Sequence, residues 1–144
     1  MKRILILLII ALTSTLSLHA QKVWKFRSRC AVIDTLFQMT QNGPFHFRIF
    51  SIQPGVITVV DSSNYLADCT PVNIHQAKVR TVCSELDGME SPLERVIALT
   101  VTKRAAGKTE IMLYSKYTHG IAIAIVKERN GICYAYELRG GTID

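Results

Sequence analysis

No stretch of this sequence stays apolar for long enough to cross a membrane. The longest such run, Ile4 to Leu12, falls short of the roughly 20 residues that span the hydrocarbon of a bilayer. Paired metal-ligand spacings are missing as well. The four cysteines, Cys30, Cys69, Cys83 and Cys133, contain no CxxC, which excludes the thioredoxin motif and the usual zinc-knuckle spacing. His46, His75 and His119 stand apart from one another and from carboxylates at ligand spacing, so no metal site is expected. There is no GxSxG elbow, no HExxH and no carboxylate pair flanked by aromatics. The segment TKRAAGKT ends like a phosphate loop, but Thr102 stands where the first glycine belongs. EIMLYSKY then alternates like a strand, where a phosphate loop must feed a helix. Cys69 or Cys83 with His75 would be the remaining nucleophile and base, and disulfide formation would remove the thiolate. No catalytic residue and no cofactor is therefore expected.

A strong excess of one charge is lacking too. The whole chain carries +6, and the balance falls to +4 once Lys2 and Arg3 are removed with a leader. That is too mild for nucleic-acid binding, which wants a basic surface interleaved with aromatics, and aromatics are only 8% here.

What is present begins with the leader. Lys2 and Arg3 form a positive start, Ile4 to Leu12 an apolar middle, and small and hydroxylated residues lead to Ala20. This is the pattern of a cleaved secretory signal at residues 1–20, and the Ala20-Gln21 junction resembles those of exported proteins of Gram-negative bacteria. Residues 21–144 then form one exported domain, periplasmic or secreted, with no membrane span after cleavage. In an oxidising compartment four cysteines favour two disulfides. Three pairings are open. Cys69 with Cys83 and Cys30 with Cys133 is the preferred one, because a closed sheet brings its first and last strands together.

Two-residue alternation dominates the domain. Trp24, Phe26, Cys30 and Val32 alternate with Lys25, Arg27 and Arg29, which reads as a first strand with a basic wet face. Ile33, Leu36, Phe37 and Thr40 recur at helical spacing, so a short helix is expected over 34–41, stopped by Asn42-Gly43-Pro44. FHFRIFSI and VITVVD flank Gln53-Pro54-Gly55 as a hairpin, and AKVRTVCSEL alternates up to Asp87-Gly88. RVIALTVTK and TEIMLYSKY flank the loop RAAGK. His119-Gly120 makes a further turn, and Asn130-Gly131 suits a type I′ turn between IAIAIVKER and ICYAYELRG. That last turn would set Ile125 opposite Tyr136, Ile123 opposite Leu138 and Val126 opposite Ala135.

About eight strands with one short helix make a mainly β domain, an antiparallel meander closed into a small barrel or folded as a sandwich. The alternative is α+β, with a longer helix from Cys30 to Gln41 packed on a twisted sheet. In layout, a strand bearing Trp24, a helix and then a meander, the chain resembles the lipocalin and fatty-acid-binding-protein architecture. The likeness implies a barrel and is carried by no residue motif.

Two classes of function follow. One is a binding module for a small hydrophobic ligand, with Trp24, Phe26, Tyr134 and Tyr136 as candidate contacts and the tyrosines as orienting polar groups. The other is a structural or interaction module of the cell envelope, meeting a protein or an anionic polymer through Lys25, Arg27 and Arg29.

Overall fold

The computed structural model describes residues 22–39, 50, 55–69, 73–74, 77–84 and 95–143. The leader, His46, His75, Asn42-Gly43-Pro44, Gln53-Pro54, Asp87-Gly88 and most of FHFRIFSI lie outside them.

The described residues build one mixed sheet beneath one short helix. Strands β1 (Trp24–Phe26), β2 (Gly55–Asp61), β3 (Asn73–Ile74), β4 (Ala77–Val82), β5 (Val96–Lys103), β6 (Thr109–Ser115), β7 (Gly120–Arg129) and β8 (Ile132–Thr142) lie in the order β1-β8-β7-β6-β5-β2-β4-β3. Seven of them are three residues or longer, and β3 is a two-residue edge. The domain is therefore mainly β, as its alternation implies.

The sheet is not closed into a barrel. β1 pairs with β8, as closure would require, but β3 occupies the far edge and does not meet β1. The expected antiparallel meander holds for β5 to β8 and fails at β2, which pairs in parallel with both β4 and β5. The sequence GVITVVD carries the cause. Ile57, Val59, Thr58 and Val60 are all buried, so both faces of β2 are covered, as is typical of strands with parallel neighbours.

Helix α1 spans Arg29–Phe37, earlier than the 34–41 expected. Ser28 decides the start: in extended backbone, its side chain accepts the Ala31 N–H at 3.4 Å, a standard N-cap. The helix removes Cys30 and Val32 from the first strand, which ends at Phe26. Val32, Ile33, Leu36 and Phe37 form its buried stripe and pack with Ile111, Leu113, Ala122, Ala124, Val126 and Ala135 of the sheet.

Three turns among the described residues are where the sequence places them. RAAGK joins β5 and β6, with Ala106 (φ 58°) and Gly107 (φ 69°) both left-handed, and His119 (φ 52°) precedes β7. Asn130 (φ 52°) and Gly131 (φ 74°) form the β7–β8 turn with both positive φ angles of a type I′ turn. A Cβ on Gly131 would meet nothing within 4 Å, so the cost of a side chain there is backbone strain alone. Gly131→Val should lower stability by about 1 kcal/mol or more in a urea titration, and a neutral result would mean the turn relaxes without a positive φ.

Register corrects one expectation beyond that turn. Val126 does face Ala135, but Ile125 faces Glu137 and Ile123 faces Arg139, not Tyr136 and Leu138. A β-bulge between Ile125 and Val126 leaves Tyr136 as the extra residue on β8.

Candidate functional site

Strand alternation divides the side chains of β5 to β8 between two unlike faces. Toward α1 lie Ile97, Leu99, Ile111, Leu113, Ala122, Ala124, Val126, Cys133 and Ala135, all buried. On the opposite face Met112 sits across from Ile123 and Tyr114 across from Ile121, and all four are half-buried. Ile125, Tyr134 and Tyr136 continue that face toward the far end of the strands, also half-buried. On β7 and β8 the bulkier apolar set is thus the less covered one.

At one end of this face an open, shallow depression of about 370 Å³ is lined by Ile121, Ile123, Arg139, Gly140 and Gly141. Gly141 faces Ile121 in the ladder, and a Cβ built on it meets nothing within 4 Å, so its missing side chain leaves that floor open.

At the other end lie charge and aromatics. Lys25, Tyr134 and Lys127 form a single cross-strand row over β1, β8 and β7. The Lys127 ammonium donates to Ala106 O at 2.8 Å in the β5–β6 loop. The Lys108 ammonium lies 4.4 Å from the centre of the Tyr136 ring, within cation–π range. Among the described residues, the two carboxylates on this face are already held: Arg104 donates to Glu110 at 2.6 Å and Arg139 to Glu137 at 2.9 Å.

The four candidate contact residues do not converge. Trp24 and Phe26 lie opposite Ala135 and Cys133 and pack against the core under α1, whereas Tyr134 and Tyr136 belong to the other face. Nor do the three basic residues share one strand face. Lys25 alone is on β1; Arg27 follows the strand, and Arg29, in α1, pairs with Asp68 and stacks over the Tyr65 ring at 5.2 Å.

The cysteines are joined differently from the expected pairs. Cys30 bonds Cys69, with Cα atoms 5.3 Å apart, while Cys83 is an exposed free thiol and Cys133 a buried one. The first strand does reach the last, since Phe26 faces Cys133, but Cys30 has left that strand for the first turn of α1. From there it meets the 3₁₀ turn Ala67–Cys69. Asp61 holds the preceding loop in place. Its buried carboxylate accepts the Leu66 N–H at 2.7 Å and both the N–H and the hydroxyl of Ser63, at 3.2 and 2.7 Å.

The chemistry of this region is that of a core. Burial, then the nearby Glu128, pushes the Cys133 thiol up, with Arg29 opposing, so it is not a prepared nucleophile. Burial first, then Cys133, pushes the Tyr65 hydroxyl up to about 12. Among the described residues no group of His, Cys, Asp and Glu is placed to hold a metal ion, and no helix is long and apolar enough to cross a membrane. Comparison with known protein families, with curated proteins and with solved structures finds no match to this chain.

Proposed function

We propose that this chain is an exported, non-catalytic binding module that takes a small hydrophobic ligand on the half-exposed face of β6, β7 and β8. The observation that carries this reading is the inversion of bulk across β7 and β8. Ala122, Ala124 and Ala135 lie on the side under α1 while Ile121, Ile123 and Ile125 line the side that is only half covered. Apolar surface of this kind, broken by a depression and edged by polar groups, is what a ligand or partner buries. The ligand position moves from a barrel interior to a sheet surface, and Tyr134 and Tyr136 keep the orienting role.

Titration of the purified chain with Nile red, a neutral apolar dye, tests this. Saturable fluorescence enhancement is expected, and Ile123→Glu should weaken it by about tenfold or more, since burying one such side chain is worth about 1.5–3 kcal/mol. Val56→Glu, at an exposed position on β2 away from β6, β7 and β8, should leave it unchanged. Absence of saturation, or dye affinity indifferent to Ile123→Glu, would sink the proposal. A dimer that dissociates in Ile123→Glu without dye binding would assign the face to an interaction partner instead.

A further inference from the structure

We infer that the ligand of this face is a free single-chain amphiphile with an anionic head, its tail lying along Ile125 and Ile123 and its head received by Lys25, Lys108 and Lys127. The inference rests on the binding role proposed above and adds the chemical class of the ligand.

Charge pairing on the face supplies the first argument. Glu110 and Glu137 are each neutralised by an arginine, at 2.6 and 2.9 Å. Among the described residues no carboxylate pairs with Lys25, Lys108 or Lys127. Three cations therefore remain uncompensated at one end of an apolar strip. Lys127 spends one of its three N–H donors on Ala106 O, and that bond holds the ammonium at the face with two donors left. Lys108 is held by the Tyr136 ring beneath it.

Position supplies the second. Lysine on an edge strand commonly serves to block strand addition, and Lys25 on β1 could be explained so. Lys127 lies on β7 and Lys108 directly before β6, both interior strands, where no edge needs protection. Thr109 pairs with Val126, so Lys108 and Lys127 stand beside each other on neighbouring strands, and strands about 4.8 Å apart place Lys25 about 10 Å from Lys127 across Tyr134.

Length supplies the third. From Lys127 back to Ile123 is four residues of β7, about 13 Å at strand rise, and the depression beside Ile123 and Ile121 continues the apolar path. Head and tail positions are thus on one strand, with Ile125 between them.

Displacement of bound Nile red by three ten-carbon probes tests the charge preference: decanoate, decanol and decyltrimethylammonium, each kept below its micelle concentration. Decanoate should displace at about one-tenth the concentration of decanol, and the cationic probe should be weakest. The triple variant Lys25→Gln, Lys108→Gln, Lys127→Gln should bring the three within about twofold. Lys127→Arg should keep the preference, and half-molar salt should reduce it. Equal displacement by all three in the unmodified chain would overturn the anionic head and leave the binding role standing. Saturable Nile red binding with no displacement by any probe would overturn the amphiphile. Failure of Nile red itself to bind would remove both readings. Sedimentation with vesicles containing phosphatidylglycerol, without displacement by decanoate, would overturn the free ligand in favour of a membrane surface.

Discussion

Phe37→Ala should destabilise the domain by about 3–5 kcal/mol, as large aromatic truncations in closed cores do. Phe37 is fully buried at the last turn of α1, its ring 6.0 Å from that of Phe50 at a tilt of 59°. A helix of nine residues has little stability of its own, so its place depends on the stripe of Val32, Ile33, Leu36 and Phe37. Removing the ring leaves a cavity between helix and sheet that the surrounding strands, hydrogen-bonded on both sides, cannot collapse to fill. Urea unfolding should show a lower midpoint with an unchanged slope. Nile red binding to the folded variant should be retained, because the proposed surface is on the other side of the sheet. A loss below about 1 kcal/mol would mean that α1 does not close the core. Loss of dye binding with the fold intact would place the ligand under the helix.

The same two-faced sheet explains what could and could not be read from the residues. Turns were legible because their chemistry is local: Asn130-Gly131, Gly107 and His119 adopt positive φ for reasons contained in two or three residues. The strands of the last third were legible because alternation is a property of one strand. Which side of the alternation faces inward was not, since a reader assigns isoleucine to the core and alanine to the surface. Here α1 lies against the small face, and Ala122, Ala124 and Ala135 let it approach the backbone closely. That choice depends on a helix about a hundred residues away in the chain, which no window along β7 contains.

Two other misreadings have a similar origin. Cys30 and Val32 fall in step with Trp24 and Phe26, so alternation runs on past the end of β1. Ser28, a good N-cap ahead of Ala31, Val32 and Ile33, was the available sign that a helix begins. In GVITVVD the near-continuous apolar run was the sign of a strand covered on both faces, and with it of parallel neighbours, although Pro54-Gly55 suggested a hairpin. Register beyond the bulge had no local sign at all.

Replacing both Cys30 and Cys69 with serine should lower stability by about 2–4 kcal/mol, the usual range for a native cross-link. The bond closes a loop of sequence separation 39, long enough for the chain-entropy model to give roughly 4 kcal/mol before any relaxation of the unfolded chain is counted. It also ties the first turn of α1 to the 3₁₀ turn at Ala67–Cys69, and through Asp61 and Leu66 to the end of β2. Without it, that join rests on Cys69 burial, on the Arg29–Asp68 pair and on Arg29 over the Tyr65 ring. Asp68 is 81% exposed, so the pair is worth at most about 1 kcal/mol. The double variant and the reduced wild-type chain should therefore unfold at the same urea concentration, both well below the oxidised chain. A peptide map under non-reducing conditions should join Cys30 to Cys69. Alkylation should label exposed Cys83 in the native protein and buried Cys133 only after denaturation. If reduction lowers the midpoint but the map joins Cys30 to Cys133, helix α1 is tied to β8 instead, and the 61–69 loop is held without a covalent link, by the Asp61 carboxylate, Leu66 burial and the Arg29 contacts to Asp68 and Tyr65.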